Sequence, residues 1–93
     1  MQTVLKKQIE EMTDDELKEV LRRDYMRRLT RYRMTNDFCR KKYGMDFEGF
    51  QKKNVVEKQG YTFEVESDAQ EWELALDGIV TVEKKLKELS GGN

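Results

Sequence analysis

The sequence predicts an all-α protein, in which a long central helix and a C-terminal coiled helix pack antiparallel, with a short helix and an extended segment between them. Three observations support this prediction. The chain of 93 residues contains no proline, so no residue forces a helix to break. Its apolar residues recur at helical spacing, and 40% of its residues are charged, which suits helices that bury one stripe each. We expect a single helical domain spanning residues 1 to 93, with a thin core.

The first two helices are predicted from apolar spacing and from a capping signal between them. Residues 2 to 12 carry an amphipathic stripe made of Val4, Leu5, Ile9 and Met12. Thr13 and Glu16 then have the spacing of a capping box, so a new helix should begin at Asp14. Its stripe continues in steps of three and four as far as Gly44, a residue type that ends helices. The members of this stripe are Leu17, Leu21, Tyr25, Leu29, Tyr32, Asn36, Cys39 and Tyr43.

The second half of the chain is predicted to contain a short helix, an extended segment and a long helix. Asp46 can cap a short helix, and residues 61 to 66 alternate apolar and polar side chains, as extended segments do. Ser67 and Gln70 have the spacing of a capping box for the last helix. The seam of that helix has the three-four alternation of a coiled helix with a partner; it comprises Trp72, Ala75, Ile79, Val82, Leu86 and Leu89. Leu74, Leu76 and Val80 are expected to add buried area beside it.

Gly78 stands in the middle of this last helix, beside the seam. Glycine in a helix interior is unfavourable by about 1 kcal/mol relative to alanine. Either it is a tolerated surface glycine, or another backbone approaches closely there. Replacement by alanine would stabilise the helix in the first case and destabilise the protein in the second.

The composition argues against catalysis and against cofactor binding. The chain has no histidine and a single cysteine, Cys39, which excludes the usual Cys/His zinc sites and histidine-based catalysis. No glycine-rich phosphate loop is present. The carboxylates around Trp72 have the spacing of neighbours on a helix surface, which favours a solvated or partner-facing role over a metal site. We therefore expect no enzyme, no cofactor and no metal, and we expect Cys39 to be a buried packing residue.

The charges are strongly segregated along the chain. Residues 22 to 42 hold nine basic and two acidic side chains, a local net charge of +7, whereas residues 64 to 77 hold six acidic and no basic ones. The basic block could orient an acidic partner surface, in this chain or in another. Alternatively it could bind RNA or DNA phosphates, although the overall net charge is only -1. The residues predicted for this nucleic-acid alternative are Arg22, Arg23, Arg27, Arg28, Arg31 and Arg33.

Two segments resemble a known family. KKYGMDFEGF, at residues 41 to 50, is followed by FEVESDAQEWELAL, at residues 63 to 76. Together they resemble small helical antitoxin-like proteins of archaea and bacteria that are encoded beside ribonuclease-type toxins. The resemblance implies that the chain binds and neutralises a toxin through helical surfaces. It leaves residues 1 to 24 uncovered, and the chain has no ribbon-helix-helix or helix-turn-helix signature.

The preferred prediction is thus a cytoplasmic interaction protein that forms homodimers and binds a protein partner. No stretch approaches the roughly 18 apolar residues of a membrane span, and the first residues, MQTVLKKQIEEM, lack the apolar core of a signal peptide. The predicted partner-binding residues come from both long helices. They are Arg27, Arg28, Arg31, Tyr32, Glu71, Trp72, Glu73, Ile79, Val82 and Leu86.

Overall fold

The structure of the chain, a computed structural model, describes residues 2 to 91, with the side chains of residues 3 to 91. The described residues form five helices and no strand. These are α1 (Gln2–Glu11), α2 (Asp14–Tyr43), α3 (Phe47–Lys52), α4 (Val55–Lys58) and α5 (Phe63–Ser90). The predicted all-α architecture is confirmed, because α2 packs against α5 and two short helices lie between them in sequence.

The central helix α2 begins and ends where the sequence predicts. Its N-terminus is a full capping box: the Glu16 N–H donates to Thr13 Oγ1 at 3.1 Å, and the Thr13 N–H donates to Glu16 Oε1 at 3.2 Å. At the other end Gly44 adopts the left-handed conformation, with φ of 69°, and its N–H donates to the Arg40 carbonyl. Local chemistry therefore fixes both ends of a helix that runs unbroken for 30 residues.

Two short helices, rather than one, connect α2 to α5. Asp46 caps α3 as predicted, since its carboxylate accepts the Gly49 N–H at 2.8 Å. The chain then turns at Asn54, whose φ of 51° lies in the left-handed region, a conformation that asparagine tolerates better than most residues. This turn ends α3 and starts α4.

The predicted extended segment at residues 61 to 66 is wrong. Thr62 caps α5, because its hydroxyl accepts the Val65 N–H at 3.2 Å, and the helix begins at Phe63. The alternation of apolar residues was misleading, since Val65 is buried while Phe63 is 87% exposed. Ser67, which we expected to start the helix, lies inside its second turn.

The seam of α5 is buried against α2 within the chain. Trp72, Ala75 and Val82 are buried, and the other seam residues, Ile79, Leu86 and Leu89, are half-buried. The expectation for the flanking residues is wrong for two of three. Leu74 and Val80 are exposed, at 67% and 68%, because they lie on the side of α5 that faces away from α2, and Leu76 is half-buried.

The largest cluster of buried residues lies where the end of α2, the short helices and the start of α5 meet. It consists of Cys39, Phe50, Val55, Val65 and Trp72, so the predicted burial of Cys39 is confirmed. Trp72 is fully buried, and its ring lies 5.2 Å from that of Phe50. Aromatic pairs at such distances stabilise a core beyond the area they bury.

The molecule is thin and elongated. Its dimensions are 55 × 32 × 17 Å and its radius of gyration is 18.3 Å, whereas a compact domain of this length has a radius of about 12 Å. It exposes 7531 Å², and a compact monomer of its mass exposes about 5,700 Å². Apolar residues of α1, namely Val4, Leu5 and Ile9, belong to the exposed surface. One copy of the chain thus exposes much more surface than a compact monomer of the same mass does.

Candidate interaction surface

The outward side of α2 carries an open, nearly flat strip bordered by arginines, which we call the basic groove. All its lining residues belong to α2: Glu19, Arg22, Arg23, Met26, Arg27, Thr30, Arg31 and Met34. They recur every three or four positions, so they form one stripe along the helix. The two methionines are 46% and 65% exposed, and they give the groove apolar material between its cations.

The arginines of the basic groove fall into two groups. Arg22 and Arg23 both form ion pairs with Glu19, at 3.2 and 3.0 Å. Arg27 and Arg31, in contrast, form no ion pair with any residue that the structure describes. They remain the cations of the groove that are available to another molecule.

Ion pairs between the two long helices involve residues outside the predicted partner-binding set. Arg33 contacts Glu83 at 3.1 Å, and Lys42 contacts Glu64 and Asp68. Among the described residues, the acidic candidates Glu71 and Glu73 form no ion pair. Among the described residues, Arg27 and Arg31 therefore form no ion pair with Glu71 or Glu73.

The register of the helix pair explains why Arg27 lies far from Glu71 and Glu73. Trp72 Nε1 donates to Asn36 Oδ1 at 2.8 Å, and farther along Lys85 Nζ lies 5.9 Å from the Tyr25 ring centroid. Because the helices are antiparallel, Arg27 lies level with residues well beyond Glu73 in α5. The register depends on contacts between distant residues, and sequence spacing alone could not supply it.

Lys42, Tyr43 and Asp68 form a compact polar network at the end of α2. The Asp68 carboxylate accepts hydrogen bonds from Lys42 Nζ and from the Tyr43 hydroxyl, both at 2.6 Å. Burial and the hydrogen bond to Asp68 raise the pKa of Tyr43 to about 12, and hydrogen bonds to Asp68 and Glu64 raise the pKa of Lys42. Partial burial acts to raise the pKa of Asp68, but its bonds to Lys42 and Tyr43 outweigh it and leave that pKa lowered. The network joins α2 to α5 and leaves its three groups mutually satisfied.

Cys39 lies next to this network and has no feature of a reactive thiol. Burial and the nearby Asp68 carboxylate raise the pKa of its thiol. A raised pKa keeps the thiol protonated, whereas reactivity requires the thiolate.

The predicted partner-binding residues separate into outward and inward groups. Trp72 and Val82 are buried inside the chain, and Tyr32, Ile79 and Leu86 are half-buried in the contact between α2 and α5. These five residues hold α2 and α5 together as a helical hairpin. They therefore stabilise the protein itself and do not form its exposed surface. The outward group is exposed and comprises Arg27, Arg28, Arg31, Glu71 and Glu73; within it, Arg28 pairs with Asp24.

The prediction missed three of the exposed apolar residues of α2, namely Met26, Met34 and Phe38. Their spacing of eight and four residues places them along one side of the helix, away from the buried stripe. That periodicity is visible in the sequence, but the dense arginines around them obscured it.

Within residues 2 to 91, no three side chains of metal-ligating type come close enough to hold a metal ion. No described helix combines the length and the apolar character that crossing a membrane requires. Comparisons with known protein families, with characterised proteins and with solved structures find no match to this chain.

Proposed function

We propose that the chain is a non-enzymatic interaction protein whose basic groove binds an acidic, partly apolar surface of a partner protein. The observation that carries this proposal is the composition of the groove, where the exposed Met26 and Met34 alternate with Arg27 and Arg31. Methionine and arginine are both enriched at protein interfaces. The resemblance of residues 41 to 50 and 63 to 76 to antitoxin-like proteins gives the partner a specific form, a toxin that the chain neutralises.

The available groups favour binding over catalysis. The largest pKa shifts among the described residues belong to Lys42 and Tyr43. Both groups, however, donate their hydrogen bonds to Asp68. A general acid or base needs a pKa near the working pH and must lie within hydrogen-bond reach of the substrate. The basic groove offers cations and methionines, which suit recognition.

Binding to RNA or DNA through the same arginines is the second candidate. A single-strand platform combines cations with aromatic rings on which bases stack, whereas the basic groove contains methionines and a threonine. Two of its four arginines are already paired with Glu19. These features favour a protein partner, which presents carboxylates and apolar side chains together.

The test is co-expression of the tagged chain with the product of the neighbouring gene, followed by co-purification. We expect a stable complex with the wild type and its loss on Arg23→Glu with Arg27→Glu. The matched control is Lys84→Glu with Lys87→Glu, which makes the same charge change on the exposed side of α5 and should leave the complex intact. Failure of the wild type to form a complex would contradict the antitoxin-like form of the proposal.

Fluorescence anisotropy with mixed RNA and DNA oligonucleotides tests the second candidate. Binding through several phosphates would weaken steeply with salt and would disappear on reversal of Arg23 and Arg27. We expect no binding at low salt. Salt-sensitive binding that needs these arginines would show that the basic groove contacts phosphates.

A further inference from the structure

A second surface lies on the side of the hairpin where Phe38 and Met34 emerge from α2. Phe38 is 60% and Met34 65% exposed. They border a depression of about 310 Å³ between α2 and α5, which we call the Phe38 face. Its lining residues are Arg31, Met34, Thr35, Phe38, Cys39, Asp68 and Glu71.

The Phe38 face carries one cation and one anion that form no ion pair within the described chain. Arg31 comes from α2 and Glu71 from α5, and within the described chain neither forms an ion pair. Asp68, the third charged residue, is already held by Lys42 and Tyr43. The apolar side chains of Met34 and Phe38 thus share this face with two opposite charges that form no ion pair with any residue of the described chain.

This combination meets the requirement of a two-fold symmetric contact. In such a contact the same patch of both copies meets. If residue i of the first copy contacts residue j of the second, then residue j of the first copy also contacts residue i of the second. A patch with one free cation and one free anion can form two ion pairs in this way. A patch of one charge sign would repel its copy.

We propose that a second copy of this chain covers the Phe38 face, with Arg31 of each copy paired to Glu71 of the other. Met34 and Phe38 form the apolar centre of the contact, and the two ion pairs fix its orientation. The total exposed area of the chain is large enough for such a contact. The chain exposes 7531 Å², roughly 1,900 Å² above the expectation for its mass, and a standard interface covers about 800 Å² per partner.

This proposal stands independently of the proposed function, because self-association requires only the chain itself. The basic groove extends from Glu19 along α2 and shares Arg31 and Met34 with the Phe38 face. Arg23 and Arg27 lie outside the Phe38 face. Variants at those two residues therefore test partner binding, while variants at Glu71 and Phe38 test self-association.

The experiment measures the mass of the whole chain in solution by light scattering, from micromolar to sub-millimolar concentrations. The wild type should have twice the 11.1 kDa mass of one chain. Arg31→Glu and Glu71→Arg should each have the mass of one chain, because each replaces two attractions by two repulsions. An equimolar mixture of the two variants should regain the doubled mass. In the mixed dimer one ion pair forms as in the wild type, and the other forms with its positive and negative charges exchanged. A wild type with the mass of one chain throughout would overturn the proposal.

The mixture separates a specific contact from a folding defect. Two variants that are misfolded or merely more soluble would stay at the mass of one chain when mixed, and this result would also overturn the assignment. Phe38→Ser should halve the mass without loss of helix content by circular dichroism. Val80→Asp is the matched control at another apolar residue, 68% exposed and outside the Phe38 face; it should keep the doubled mass. Equal effects of the two changes would contradict a contact at Phe38.

Discussion

At the scale of single residues, the Tyr32 ring of α2 packs against Gly78 of α5. A Cβ atom built on Gly78 would lie 2.5 Å from the Tyr32 ring, closer than real Cβ atoms come. The close approach that we considered for Gly78 therefore exists, but a side chain makes it and not another backbone. Gly78 provides the gap in α5 that admits the tyrosine ring.

Gly78→Ala should destabilise the protein by about 1–3 kcal/mol, the usual range for overpacking in a close-packed contact. The sign is diagnostic, because helix propensity alone would stabilise the variant by about 1 kcal/mol. Urea unfolding followed by circular dichroism measures the change. In a Tyr32→Ala background the same substitution should become neutral or stabilising. Stabilisation in the wild-type background would show that the ring does not occupy this gap.

The pKa shifts of Tyr43 and Asp68 predict a pH window for their network. The raised pKa of Tyr43, about 12, means that its contribution is complete below the ordinary tyrosine value near 10 and is lost as the pH rises toward 12. The pKa of Asp68 is lowered, so its contribution is complete above the ordinary aspartate value near 3.9 and is lost as the pH falls through the folded value. The network should stabilise the fold fully between about pH 4 and pH 10.

Tyr43→Phe tests the alkaline limit of that window. It should lower the stability at pH 7 by about 1 kcal/mol, the net value of a hydrogen bond, and should reduce the loss of stability above pH 10. Ultraviolet titration of the four tyrosines should show one that ionises near 12 and that disappears in the variant. Four tyrosines that all ionise near 10 would contradict the bond to Asp68.

At the scale of elements, the parts that sequence predicts correctly have local causes. The ends of α2 were predictable because the Thr13 capping box and the Gly44 left-handed turn need only neighbouring residues. The start of α5 was missed because Thr62 and Ser67 are competing capping residues. A six-residue alternation cannot distinguish a strand from a first helical turn that has one buried residue. The identity of that residue, Val65, is decided by packing against distant parts of the chain.

The candidate site divides in the same way. The arginines of the basic groove were predictable from their density, and the groove follows from their spacing on a helix. The pairing of Lys42 with Asp68 and the isolation of Glu71 depend on how α2 and α5 align. That alignment is set by tertiary contacts such as the one between Trp72 and Asn36, which sequence spacing does not reveal.

Adjacent residues of α5 provide a matched test of which side of the helix is buried. Ile79 is half-buried and Val80 is exposed. Ile79→Asp should destabilise the protein by about 1–3 kcal/mol, because it places a charge in the contact with α2. Val80→Asp should change stability by less than about 0.5 kcal/mol. Thermal unfolding of both variants, compared at one pH, measures the difference, and equal losses would contradict the orientation of α5.

At the scale of the whole molecule, the two long helices form a thin hairpin with most of its charges facing outward. The core cluster lies at one end, the contact between α2 and α5 continues through buried residues such as Leu29 and Val82, and the outward sides of both helices present a surface. The two proposals assign the part of the basic groove around Arg23 and Arg27 to a partner protein, and the Phe38 face, which includes Arg31 and Met34, to a second copy. Both assignments draw support from charges that form no ion pair among the described residues, namely Arg27 in the groove and Arg31 with Glu71 on the Phe38 face.

The assignment of the basic groove to a protein partner is tested most directly by calorimetric titration of the chain with the neighbouring gene product. Reversal of Arg23 and Arg27 to glutamate should weaken binding at least about tenfold, which is about 1.4 kcal/mol, because it places like charges against an acidic surface. Reversal of Lys84 and Lys87 should change the affinity less than about twofold. Equal weakening by the two pairs, or undiminished binding after reversal of Arg23 and Arg27, would contradict the proposed role of the groove.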